Sequence, residues 1–95
     1  MRRVEYLDRL AEVAVKEAIL QLRTVGTRPC SSNVPAEAQQ LLVQKGRARV
    51  SKADAEKRVR QAVERLRERK EIKAPTAPYN DWAVIGQKSP PPTQT

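Results

Sequence analysis

Between Val4 and Leu22 the apolar residues return every three or four positions, and that spacing constrains the fold more than any other feature of the chain. Val4, Leu7, Ala11, Ala14, Ala18 and Leu22 share one stripe of a helix, and Leu10, Val15 and Ile19 widen it. The spacing predicts an amphipathic helix of about twenty residues, ended by Gly26. The stripe reads equally as the inside of a core and as a seam between two copies, since its small Ala residues permit close approach in both cases. Val4, Leu7, Ala11, Ala14 and Ala18 are therefore dimerisation candidates.

Residues 26 to 33, "GTRPCSSN", collect turn and cap formers and read as a loop, with Asn33 as the cap of a second helix. In "VPAEAQQLLVQKG" Pro35 stands in the first turn, where its missing N–H costs nothing. Apolar residues at 38, 41 and 42 and a terminating Gly46 complete this short helix. Ser51 opens the third. Its hydroxyl is placed to accept the Asp54 N–H while the Asp54 carboxylate reaches back, an acidic form of the capping box. Ala55, Val59, Ala62, Val63 and Leu66 then stand at offsets 0, 4, 7, 8 and 11, one face of a helix expected from about 51 to 70. Beyond it, "EIKA" and "DWAVIG" are β-prone runs around "PTAPYN", a hairpin with a Pro-rich turn. In "QKSPPPTQT" no residue is suited to a core, so residues 87–95 are expected to form a disordered Pro-rich tail. The expected architecture is mainly α with a small β-hairpin, in a single domain over residues 1–86.

Composition narrows the function. At 95 residues the chain supports one modest core. The absence of histidine and the presence of one cysteine, Cys30, leave a zinc site almost without ligands. The same lack, with no nucleophile–base arrangement and no phosphate-binding glycine loop, argues against an enzyme, and no metal or cofactor is expected. Glu5, Asp8, Arg9 and Glu12 interrupt any apolar leader, and no run of eighteen apolar residues occurs, so a membrane role is not expected and the cytoplasm is the default location.

The formal charge is +8 with a pI near 10.3, which favours polyanionic partners. Residues 45 to 70 hold eleven Lys or Arg against four Asp or Glu, so the surplus is concentrated there. On a helical wheel the face opposite the apolar one carries Ala53, Asp54, Lys57, Arg60, Gln61 and Glu64. Ser51, Lys52, Lys57, Arg58, Arg60 and Gln61 form the candidate nucleic-acid surface, near a helix start whose dipole is also positive. Lys45, Arg47 and Arg49 precede it in a turn suited to clamping phosphates, or simply to being solvated. Arg65, Arg67, Arg69 and Lys70 read instead as solubility and helix support, with Glu56–Arg60 as an i,i+4 pairing.

Helix, helix, short turn, cationic helix and hairpin together resemble the winged helix–turn–helix family over about residues 5–86. "VPAEAQQLLVQKG" corresponds to the supporting helix, "SKADAEKRVRQAVERL" to the recognition helix and "EIKAPTAPYNDWAVIG" to strand, wing and strand. The resemblance implies a recognition helix in the major groove of double-stranded DNA and a wing along the backbone, with Lys73, Thr76 and Tyr79 on or beside the wing. Two features depart from the family: "ERKEI" has no glycine before the first wing strand, and the first and third helices are long. The long first helix suggests a dimerisation surface or extra packing against the wing, and the expected role is a transcriptional regulator acting as a homodimer through that helix, nucleoid-associated in a bacterial host. The competing class is a protein-interaction module whose basic face docks on an acidic protein. RNA binding by base stacking is disfavoured by an aromatic content of 3%. Trp82 reads as the hairpin's core anchor, and Cys30 as unreactive for want of a base.

Overall fold

A computed structural model describes residues 3–46, 50–76 and 80–85, with the side chains of residues 3 and 4 left aside. Three helices, α1 (Arg3–Thr24), α2 (Val34–Lys45) and α3 (Lys52–Glu68), precede two short strands, β1 (Ile72–Lys73) and β2 (Ala83–Val84). The fold is mainly α with a small antiparallel hairpin, as expected, and the first helix is the longest element. Arg47, Arg49, Tyr79 and the 87–95 tail lie outside the described residues. Among the described residues no helix is long and apolar enough to cross a membrane.

The three helices pack pairwise around one core, in which Ala14, Val15, Ala18 and Ile19 of α1, Val34, Ala38 and Leu42 of α2, and Ala55, Ala62 and Leu66 of α3 are wholly buried. The seam reading of α1 is thereby corrected. Leu7, Ala11, Ala14 and Ala18 are covered by the chain's own α2 and α3, because a stripe of small residues lets those helices approach α1 closely. Val4 lies outside what can be described.

Helix ends explain where each element stops. α1 closes in a Schellman motif, with Thr27 N–H on Leu22 O (2.8 Å), Gly26 N–H on Arg23 O (3.0 Å) and Gly26 at φ 82°. α3 closes the same way through Glu71 N–H on Leu66 O (2.8 Å) and Lys70 N–H on Arg67 O (3.1 Å), but here a lysine holds the left-handed position, φ 60°. A side chain there clashes with its own backbone at about 1–2 kcal/mol. Lys70→Gly should raise stability by about 0.5–1 kcal/mol, a gain of about 4 °C in Tm by circular dichroism. No gain would mean that the turn relaxes away from the left-handed geometry in solution. Gly46 ends α2 for another reason: its φ is ordinary, but a Cβ there would stand 2.6 Å from Cγ2 of the buried Val50.

Caps were foreseen unevenly. Ser51 Oγ accepts the Asp54 N–H at 3.1 Å, as its position suggests. The Asp54 carboxylate does not reach back; it accepts from Arg58 Nε at 2.9 Å, a charged donor that outcompetes a backbone N–H. Asn33 makes no side-chain cap for α2. Its amide instead braces the preceding loop, accepting from Cys30 N–H and donating to Arg28 O.

The hairpin pairs Ile72 with Val84 and Lys73 with Ala83, two residues per strand where the sequence suggested longer runs. Its ladder stops because Pro75, opposite Asp81 at the next hydrogen-bonded position, has no N–H to donate; the Trp82 N–H points away from β1 and is held by Pro29 O at 2.9 Å. Trp82 itself is buried, and its indole N–H donates to Pro75 O at 3.2 Å.

Candidate nucleic-acid interface

α3 presents two different faces to its surroundings. Its five predicted core residues, Ala55, Val59, Ala62, Val63 and Leu66, are all buried. The outward face of its first half carries Lys52, Lys57, Arg60 and Gln61, all exposed. These four side chains have no hydrogen-bond or ion-pair partner among the described residues. Ser51 precedes them, exposed, with its hydroxyl committed to the cap.

The remaining cations of α3 are used inside the molecule. Arg58 is 16% exposed in its side chain and joins Asp8 of α1 (2.8 Å) to Asp54 (2.9 Å), with Asp54 and then Asp8 holding its guanidinium more firmly protonated than usual. Arg58 is therefore a brace between α1 and α3, which corrects its assignment to the nucleic-acid surface. Arg65 Nε donates to Glu12 at 2.7 Å, and Arg69 bridges Glu12 (2.6 Å) and Glu71 (2.7 Å). Partial burial pushes the Glu12 carboxyl up, yet the hydrogen bonds from Arg69 and Arg65 outweigh it and leave the group below its usual value. Arg69 and then Lys16 hold Glu71 down at about 2. Arg67 caps the carbonyl of Ala74 through two nitrogens (2.6 and 3.1 Å) and pairs with Glu64. Arg65, Arg67 and Arg69 thus staple α3 to α1 and to the hairpin and are not merely solvated helix support.

A signal for this was present. Asp8 and Glu12 form an i,i+4 acidic row on one flank of α1, and Arg58, Arg65 and Arg69 form a basic row on one flank of α3. Of the eleven cations between residues 45 and 70, Lys45, Arg58, Arg65, Arg67 and Arg69 have carboxylate partners. The expected Glu56–Arg60 pairing is not formed, which leaves Arg60 free among the described residues.

Beside Arg60, α2, α3 and Trp82 enclose an open groove of about 310 Å³, floored by Val59, Val63 and Trp82 and rimmed by Pro35, Gln39, Glu56, Arg60 and Glu64. Lys73 is exposed but does not join this surface; with Arg28, Pro75, Asn80 and Asp81 it lines a separate polar depression on the turn side of the hairpin. Thr76 is exposed nearby in sequence. Cys30 is buried, its Sγ 2.9 Å from Ser32 Oγ. No family model matches the chain, and no curated protein and no solved structure matches it either.

Proposed function

We propose that the chain binds double-stranded DNA through the first half of α3 and acts as a transcriptional regulator. The observation that carries this reading is the sorting of the cations: once the fold has used its internal pairs, Lys52, Lys57 and Arg60 remain exposed and, among the described residues, unpaired beside Gln61. A cation with a carboxylate partner has little to gain from a phosphate, whereas an unpaired one releases condensed counterions on contact. In this role Lys52 neutralises backbone phosphate near the helix start, and the side chains at 57, 60 and 61 meet base edges, Lys and Arg suiting guanine and Gln suiting adenine. The element order, helix–helix–turn–helix–hairpin, supports a winged-helix mode of docking. Such a protein acts by occluding or recruiting at a promoter and not by chemistry. Its place would be with the DNA, in the cytoplasm and at the nucleoid of a bacterial host.

Selection from a randomised duplex pool at near-physiological salt tests the reading. A short motif should enrich with the wild type and be lost with Lys57→Ala/Arg60→Ala, while Lys52→Ala should weaken all duplexes alike and make the plot of log affinity against log salt shallower by about 1. Absence of enrichment, or a double mutant that binds as the wild type does, rejects base reading by α3.

A second reading is favoured by the groove. Its apolar floor and the carboxylates of Glu56 and Glu64 suit a protein surface better than a phosphate backbone, with Arg60 available to an acidic side chain. A partner that binds with unchanged affinity in the presence of excess duplex, and is lost on Glu56→Lys/Glu64→Lys, both exposed on the groove rim, would support that reading.

A further inference from the structure

A further open cleft, of about 860 Å³, lies between the last turns of α1, the α1–α2 loop and β2, and takes no residue from α2 or α3. Leu20, Ala83 and Val84 give it apolar lining, and two cations, Arg23 and Arg28, stand at it against one carboxylate, Asp81. A cleft of this size, apolar in part and carrying a few fixed polar groups, suits a small organic molecule.

The two guanidiniums are anchored to consecutive residues of the hairpin, which brings them to the same end of the cleft. Arg23 Nη2 donates to Trp82 O at 2.9 Å, and Arg28 Nε pairs with Asp81 at 2.9 Å. Arg28 thereby keeps its two-nitrogen fork, without a partner among the described residues, and that fork is the geometry a carboxylate accepts in pairs. β2 adds a backbone donor. The bond from Ile85 N–H to Glu71 O fixes the ladder so that Val84, opposite Ile72, stands at a non-hydrogen-bonded position, with its N–H and carbonyl directed away from β1. On that edge the Val84 N–H comes next after the Trp82 carbonyl that holds Arg23, and it has no partner among the described residues. Thr27, exposed at the rim, has a hydroxyl that is likewise unpartnered among them.

We propose that this cleft binds a small organic monocarboxylate, an acid group on an apolar body. Arg23 and the Val84 N–H donate to the carboxylate, the Arg28 fork closes on it, and the body lies along Leu20 and Ala83. Two arginines against one aspartate leave a single positive charge, which one carboxylate neutralises. A nucleic-acid phosphate fits less well, because it brings charge but nothing apolar to cover Leu20 and Ala83.

The inference stands apart from DNA binding, and its test contains no DNA. The isotope-labelled full chain is titrated with benzoate and with hexanoate, following backbone amide and arginine Nε resonances. Val84, Thr27 and the Nε groups of Arg23 and Arg28 should shift saturably, with a Kd of about 1 mM or tighter. Benzamide, which keeps the ring and lacks the charge, and inorganic phosphate, which has charge and no apolar body, should each bind at least about tenfold more weakly. Arg28→Gln, at a side chain 67% exposed, should weaken benzoate by at least about tenfold while resonances away from the cleft stay in place, and Arg28→Lys, which keeps the charge and loses the fork, should fall between. No saturable shift at Val84 with either acid, benzamide or phosphate binding as well as benzoate, or an Arg28→Gln variant of wild-type affinity overturns the proposal.

Discussion

Trp82→Ala should lower stability by about 3–5 kcal/mol, a large part of what a domain of this size possesses, and reduce Tm by about 15–30 °C. Trp82 is 3% exposed and is the one aromatic side chain in the core among the described residues. Around it three otherwise separate segments converge. Its N–H reaches Pro29 O in the α1–α2 loop, its carbonyl accepts from Arg23 of α1 at 2.9 Å, and its indole N–H reaches Pro75 O after β1. The two backbone bonds survive substitution in principle, but the ring holds Trp82 against α2 and α3, and without it a hairpin of two residue pairs is too short to persist. Amide exchange at Ile85, whose N–H is held by Glu71 O, should therefore become fast well below the global transition. Trp82→Phe separates the contributions: it keeps most of the apolar contact, loses the bond to Pro75 and should cost about 1–2 kcal/mol. A loss under about 1 kcal/mol for the alanine variant would mean that the hairpin is held by β-pairing and not by the indole.

Arg58→Ala/Arg65→Ala should destabilise the fold by about 2–3 kcal/mol, whereas Lys57→Ala/Arg60→Ala on the same helix should stay within about 0.5 kcal/mol of the wild type. All four residues lie close together on α3, and composition does not distinguish them. The difference is what each one meets. Arg58 and Arg65 are largely covered and face Asp8 and Glu12, so their loss removes the packed stems, strands the partly buried Asp8 and leaves Glu12 to Arg69 alone. Lys57 and Arg60 point to solvent, and removing them unpairs nothing among the described residues. Urea unfolding of the two double variants measures the contrast directly. Equal losses would mean that α3 is stabilised by its overall charge and not by the specific pairs to α1. The same comparison guards the functional test, because a Lys57/Arg60 variant of wild-type stability that fails to bind DNA has lost contacts and not its fold.

Much of the helical framework can be derived from residues a few positions apart. The Ser51 cap, the Schellman turn at Gly26 and the buried stripe of α3 all depend on neighbours within about five residues, and such interactions have a period that the chain displays directly. Burial of Trp82 followed from its size and apolar surface. The positions of Lys52, Lys57, Arg60 and Gln61 on the outward face followed from the same wheel.

Pairings distant in sequence did not follow. Arg58 and Asp8 are fifty residues apart and Arg65 and Glu12 fifty-three, and the one arginine reads as a nucleic-acid contact and the other as helix support until α1 is laid beside α3. The same holds for the apolar residues of α1: the periodicity of the first helix states that it has apolar sides, but only the packing of α2 and α3 decides that Leu7, Ala11, Ala14 and Ala18 are covered and that Tyr6 and Val13 are not. Trp82 is a third case, its N–H held by Pro29 O and its carbonyl by Arg23, both more than fifty residues away. The sequence by itself determined the helices, the Ser51 cap and the apolar faces, because hydrogen bonds and side-chain spacing within a turn are local. Only the tertiary structure decided which charges remain for a partner, because a cation's availability depends on whether the fold has already placed a carboxylate beside it.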